Sequence, residues 1–325
     1  MGSMRDLPRV GARRTCVVVC GMHRTGTSAV ARTINFLGAD ISDDLIEPGA
    51  DNIRGYWESK SIVQVHEQLL EDLGSSSGDP LPLPDDWINM PFARLARERL
   101  IELIESEFRD SSLFVIKDPR ISKLLQLWVE LLAEIDVDIV VVMPFRNPLE
   151  VAASLEKRDH TPLASSLLLY LSSYLKSELA SRDCPRCFVN YAHVLSDWRV
   201  LESRLRSVLG SRLPMLDESR SLEISRYLAP DLRHHHHDRA EMARRHEIPS
   251  IVADLYDLLT EAEAGGNAAS LSKAFDELSR LADGMATLFR DLVRSERAER
   301  RAFENSTSWR VTAPLRWLKQ ELQRK

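Results

Sequence analysis

The sequence predicts an α/β fold of three layers, a central parallel sheet between helices, with a helical extension at the C-terminal end. Three observations predict it. Short β-branched apolar runs alternate with segments of helical period from Thr15 to about residue 208. The first of these runs passes directly into a glycine-bounded loop and then a helical pattern. Beyond about residue 239 the strand signals stop and the charge density rises.

Taken in order, residues 15–20 read as a buried strand and 26–37 as a helix ended by Gly38. "GADI" reads as a short second strand. Residues 60–73 place Ile62, Val65, Leu69 and Leu73 on one helical face. "GSSSGDPLPLPDD" (74–86) has the composition of a flexible loop, and a helix follows over about 92–108. "SLFVIK" is a strand ending at Lys117, "SKLLQLWVELLAEI" a helix and "DIVVVMPF" a strand. "PLEVAASLEKR" is a helix with Pro148 in its first turn, where a missing N–H costs nothing. A longer helix covers about 162–180, "CFVNYAHV" is the last strand, and a helix lies near 195–208. Three segments result. Residues 1–14 are a disordered leader whose "MGS" reads as an expression scar, 15–238 form the α/β domain, and 239–325 form the helical extension with a basic amphipathic tail.

Composition limits the function. Of 325 residues 44% are hydrophobic, enough for one large core or two modest ones, and the net charge of −6 gives no basic excess for nucleic acid. No apolar run approaches the ~18–20 residues of a membrane span, and the N-terminus lacks the apolar centre of a signal peptide. A cytoplasmic protein is expected. Residues 286–325 hold ten Lys/Arg against five Asp/Glu, so this end is +5 and the remainder −11. Its mixture of Trp309, Val311, Leu315, Trp317 and Leu318 with cations suits an interfacial helix at the inner membrane face, self-association or packing on its own domain. Cys184 and Cys187 form "CPRC", but they precede a strand instead of opening a helix, and Cys16 and Cys20 have the wrong spacing for a zinc site. Reduced structural thiols are expected. The "HHHH" run at 234–237 lacks a carboxylate scaffold, and no metal is required.

The chemistry concentrates just past the strands, where parallel sheets bind ligands. "GMHRTGTS" (21–28) has the strand–loop–helix layout of the phosphate-binding pattern G-x-x-x-x-G-K-[ST], so the fold is P-loop-like, but Thr27 stands in place of the lysine. Backbone N–H groups and the helix N-terminus still favour an anion. "KDPR" and "RNP" follow the next two long strands, so Arg24, Lys117, Arg120 and Arg146 are expected at one edge, facing a polyanion.

Together these residues resemble the PAPS-dependent sulfotransferases, in particular a bacterial branch acting on carbohydrates. The stretches that carry the resemblance are "GMHRTGTSAV", "DNIRGYWES", "KDPRISKLLQLW", "FRNPLEVAASLEKRD" and "DLRHH", in that order over residues 15–237. It implies PAPS (3′-phosphoadenosine 5′-phosphosulfate) as co-substrate. The lysine-less [KR]-x-G-T-[ST] loop would hold its 5′-phosphosulfate, through His23, Arg24, Thr25, Gly26, Thr27 and Ser28. The R-N-P-x-x-x-x-x-S register would hold its 3′-phosphate, through Arg146 and Ser154. Arg24 and Lys117 would stabilise charge on the leaving phosphate. The histidine base of the better-known cytosolic members has no counterpart in "KDPR"; the heparan-modifying members use a glutamate some thirty residues past the loop, and that resemblance implies Glu58, 34 residues past Arg24, as the general base, with Tyr56–Trp57 as an acceptor wall. A salt bridge from Glu58 to Arg54 or Lys60 is the competing reading, as are a surface role for Lys117, a Walker-type acid for Asp118, and either a structural place or a cleft-lining one for His66. The implied acceptor is a hydroxyl of a carbohydrate or glycolipid. Two other classes stay open: a P-loop kinase using ATP and Mg²⁺, and a non-catalytic adaptor working through its helical tail.

Overall fold

The computed structural model describes residues 13–228 and 239–312. The leader up to residue 12, the histidine run with its "DLRHH" motif, and the tail from residue 313 lie outside the described residues. The chain divides into two compact units, Met1–Leu278 and Ser279–Lys325.

The first unit is built on a parallel sheet of four strands: β1 (Thr15–Val19), β2 (Leu113–Lys117), β3 (Asp138–Phe145) and β4 (Arg186–Asn190), in the order β2-β1-β3-β4. Val17 of β1 stands opposite Val115 of β2 and Val140 of β3. Between β1 and β2 lie α1 (Thr27–Phe36), α2 (Lys60–Asp72) and α3 (Pro91–Glu107); α4 (Ile121–Glu134) leads to β3. Next come α5 (Pro148–Asp159) and α6 (Leu163–Ala180) before β4, then α7 (Tyr191–Ser196), α8 (Arg199–Leu209) and α9 (Glu218–Tyr227). The strands are nearly continuous apolar runs because both faces are covered. On one face Val17, Val19, Val115, Val140, Val142 and Val189 pack against Val30 and Ile34 of α1 and Leu201 and Leu205 of α8. The alternate residues point the other way: Phe114 stacks on Phe108 at 4.6 Å, and Cys20, just past β1, meets Ser177 of α6 at 3.1 Å. The expected three-layer α/β architecture is therefore present.

After residue 238 come α10 (Arg239–Arg244), α11 (Ser250–Glu263), α12 (Ala268–Asn305) and α13 (Thr307–Val311). α11 packs on the free edge of the sheet: buried Glu263 accepts from the backbone N–H of Asn190 at 2.8 Å. Phe275 of α12 stacks against Phe188 of β4. The second unit holds the rest of α12 and α13, where the Phe303 and Trp309 rings lie 4.6 Å apart. Among the described residues no helix is long and apolar enough to cross a membrane.

Three local expectations change. "GADI" is no strand; Asp40 makes a single parallel bridge to Phe114. The last strand stops at Asn190, whose side chain accepts from the N–H of Ala192 and caps α7, so "YAHV" turns helical. The buried face of α2 is Ile62, Val63, His66, Leu69 and Leu70, with Val65 and Leu73 only half-buried. All four cysteines are free, and burial pushes the Cys187 thiol up to about 12.

Candidate active site

The loop after β1 is shaped by two glycines. β1 ends opposite Val142, and the chain then runs so close to β3 that a Cβ on Gly21 would stand 2.9 Å from the Pro144 carbonyl oxygen. Gly26 occupies the left-handed region at φ 92°, and a Cβ there would come within 2.2 Å of the Tyr191 ring. Arg24 is also left-handed, at φ 68°, a conformation that costs a residue bearing a Cβ roughly 1–2 kcal/mol. Such turns gather successive N–H groups into an anion-binding concavity. No side chain caps the helix that follows, and the first N–H with an intrahelical partner is that of Val30, on the Gly26 carbonyl at 3.0 Å. Thr27 and Ser28 thus begin a helix with its positive end uncapped. The Thr25 hydroxyl is turned inward, donating to the Met22 carbonyl at 2.7 Å, which makes it a loop brace.

Gly26→Ala is expected to combine left-handed strain with a collision against Tyr191. The outcome should be a loss of about 1–3 kcal/mol of stability, read as a lower urea midpoint at unchanged slope.

Around this cradle the charged side chains form two groups. In the first, Lys117 at the end of β2 is buried, so a surface role is ruled out. Its ammonium donates to Ser28 Oγ at 3.2 Å, to the Tyr56 carbonyl at 3.0 Å, and to Glu58 Oε1. The salt bridge of Glu58 is therefore with Lys117; Lys60 reaches Asp44 instead, and Arg54 bonds the Tyr227 carbonyl. Glu58 is 7% exposed. Burial raises its carboxyl above the ordinary value, and nearby Lys117 and Arg120 offset that rise only in part. Arg120 Nη1 lies 3.8 Å from Glu58 Oε2.

In the second group, Arg146, just past the end of β3, is followed at four-residue intervals by Glu150, Ser154 and Arg158 of α5, one stripe beginning at the strand end. Arg146 is buried; its Nε donates to fully buried Glu150 at 2.6 Å, and its guanidinium lies 5.5 Å from the centre of the Tyr191 ring. Ser154 Oγ accepts from Arg24 Nε at 2.8 Å, which ties the loop to α5. Asp51 lies between Arg24 (3.4 Å) and Arg158 (3.9 Å), and its other oxygen accepts from the Tyr56 hydroxyl. Asn52 from the same segment donates to Ser28 Oγ at 3.3 Å. Glu150, Arg158 and Asp51 are not among the residues the sequence assigns to the site, although Glu150 and Arg158 keep the four-residue spacing and Asp51 opens the "DNIRGYWES" stretch.

His23 is partly buried, and burial together with the guanidiniums of Arg158 and Arg120 pushes its imidazole down to about 3. It is neutral at physiological pH. Trp57 is engaged by Arg32, whose guanidinium lies 4.2 Å from its ring, and by the Tyr227 hydroxyl at 3.1 Å.

His66 has a structural place. The Trp128 indole N–H can only donate, and it donates to His66 Nε2 at 3.0 Å. Nδ1 therefore carries the proton and donates to Asp118 Oδ2 at 2.7 Å. Asp118 Oδ1 accepts from the backbone N–H of Arg120 at 2.9 Å and from its guanidinium at 2.8 Å. Burial alone would raise the Asp118 carboxyl; the bonds from His66 and Arg120 outweigh it and hold the group well below the usual carboxylate range. With both oxygens used in this way, Asp118 serves to fix Arg120 beside Glu58. Asp118→Ala removes the acceptor of the buried His66 Nδ1–H and one of the partners of Arg120, which keeps Glu67 at 2.6 Å, and is expected to cost about 1–3 kcal/mol, measured by chemical denaturation.

No protein-family model and no curated protein matches the chain. Among solved structures it is similar to sulfotransferase STF1 from Mycobacterium tuberculosis H37Rv, at 14% identity and TM-score 0.44, covering 81% of this chain and 77% of that one. It is also similar to the sulfotransferase domain of the Synechococcus PCC 7002 olefin synthase, at 14% identity and TM-score 0.35, covering 70% and 91% respectively. Likenesses this distant carry no functional argument, which rests on the residues of the site.

Proposed function

We propose that the protein is a sulfotransferase that moves a sulfuryl group from PAPS to a hydroxyl of a carbohydrate or glycolipid. The observation that carries this reading is the bridge formed by Lys117. One buried ammonium touches Ser28 at the mouth of an uncapped anion cradle and a buried carboxylate, Glu58, on the other side. An anion-binding point and a proton acceptor are thus held a few ångströms apart, the layout that group transfer to a hydroxyl needs.

The donor set fits the co-substrate. Arg24, Ser28 and the first N–H groups of α1 would take the 5′-phosphosulfate, while Arg146 at the end of β3 and Ser154 of α5 would take the 3′-phosphate. PAPS supplies an activated sulfuryl group. The bond broken joins sulfur to the bridging oxygen of the 5′-phosphate, and the bond formed joins sulfur to the acceptor oxygen. Glu58 takes the acceptor proton. Protonation neutralises Glu58 and frees the charge of Lys117 to act through its Ser28 side on the phosphate that leaves. No residue here reproduces the lysine that a kinase loop places on the β- and γ-phosphates.

The test is thermal stability of the full chain with 3′-phosphoadenosine 5′-phosphate or with ATP and Mg²⁺, followed by a sulfate-transfer screen over glycan and glycolipid acceptors. At 100 times Kd the bisphosphate should add about 2.7 kcal/mol. Stabilisation by ATP and Mg²⁺ alone would favour a kinase, and stabilisation by neither an adaptor.

A further inference from the structure

A second site lies at the opposite end of β4 from the cradle. A cavity of about 270 Å³ opens between the start of β4, the last turns of α8 and the α11–α12 junction. Phe188, Leu271 and Phe275, all buried, give it an apolar floor, and Arg186 and Arg204 bring two guanidiniums to it. Arg186 is already satisfied: it bonds the Glu178 carboxylate at 3.0 Å and the Glu178 carbonyl at 2.8 Å.

Arg204 is not. Its side chain is 29% exposed, and Nε is buried with no hydrogen-bond partner. Its nearest carboxylate oxygen, on Glu263, is 4.0 Å away, beyond hydrogen-bond length. That carboxylate is committed elsewhere, to the Asn190 N–H at 2.8 Å and His193 Nδ1 at 3.0 Å. Burying a guanidinium donor with no acceptor costs free energy that a folded protein seldom leaves uncompensated. Arg204 lines the cavity with the accessible part of its guanidinium, which makes no hydrogen bond among the described residues, and an acceptor in the cavity would pair with it there.

We propose that this cavity binds a small organic carboxylate, with its charged end on Arg204 and its apolar body on Phe188, Leu271 and Phe275. The size of the cavity suits roughly a dozen heavy atoms, near the lower end for ligand pockets. Arg186 begins β4, and four residues of strand, about 13 Å, separate it from Asn190. The site is thus distinct from the cradle, and it does not depend on the reaction proposed there.

The probe is benzoate, titrated calorimetrically into the full chain, with cyclohexanol as an uncharged body and acetate as a charge without one. Saturable one-to-one binding of benzoate is expected, at least tenfold tighter than acetate, with none for cyclohexanol. Arg204→Met should weaken benzoate at least tenfold. Ser207→Phe, at an exposed α8 position lining the cavity, should do the same by filling it, and it decides the matter if Arg204→Met does not fold. Benzoate should still bind when 3′-phosphoadenosine 5′-phosphate is saturating. Absence of saturable binding, equal affinity in Ser207→Phe, or competition with the bisphosphate would each overturn the proposal.

Discussion

Glu58→Gln is expected to lower turnover by about 10²–10⁴-fold while leaving the affinity for 3′-phosphoadenosine 5′-phosphate within about twofold. The amide keeps the size of the side chain and can still accept from Lys117, so the cradle beside Ser28 should hold its shape. What it cannot do is take a proton. The pH profile adds a second check with a defined sign. A general base works only when ionised, so on the proposed role the rate of the wild-type protein should fall as pH drops through the Glu58 pKa. Burial places that pKa above the ordinary carboxylate value, so the acid limb should sit correspondingly high. In the glutamine variant that limb should vanish. Near-normal turnover would remove Glu58 from the role. It would not pass to His66, whose two ring nitrogens are committed to Trp128 and Asp118. His23, kept neutral among cations, would be the group to examine next.

The sheet was legible in the sequence because its signal is local. Val17, Val18 and Val19 are apolar on both faces, as a doubly covered strand requires, and the glycines mark where the chain leaves it. The same holds for α5, where Pro148 and the Asn147 cap fix the start and the four-residue stripe fixes the face. The site was legible only in part. Lys117, Arg24 and Arg146 could be placed by their strand ends, but their partners could not. Glu58 lies 59 positions from Lys117, and Ser154 lies 130 from Arg24. Periodicity does not report pairings at such separations. Helical carboxylates such as Glu150 read as solvated surface, whereas here Glu150 is buried against Arg146. His66 fell within a hydrophobic stripe, and only the indole donor of Trp128 reveals that its second nitrogen is an acceptor. "YAHV" misled for a local reason: its apolar pattern suits a strand, and the competing capping bond from Asn190 wins.

Arg146→Ala is expected to weaken 3′-phosphoadenosine 5′-phosphate by roughly 1.5–3 kcal/mol, about 10- to 150-fold, the scale of a lost charge-assisted hydrogen bond. Adenosine 5′-phosphate, which has no 3′ group, should lose much less. The contrast between the two ligands is the test, because a general disturbance of the fold would weaken both. Such a disturbance is a real concern at this position. Arg146 is the Nε partner of Glu150, which is fully buried, and removing it takes the cation from beside a buried carboxyl group. The double variant Arg146→Ala/Glu150→Gln replaces that carboxyl by an amide and should recover stability without recovering the 3′-phosphate preference. Glu150→Gln alone should keep the preference, since the guanidinium remains beside the Tyr191 ring at the strand end. If both nucleotides lose affinity equally in the double variant, Arg146 is a structural ion-pair residue and the 3′-phosphate assignment fails. The 5′ assignment to Arg24 and Ser28 would stand, because it draws on the uncapped start of α1 and not on α5.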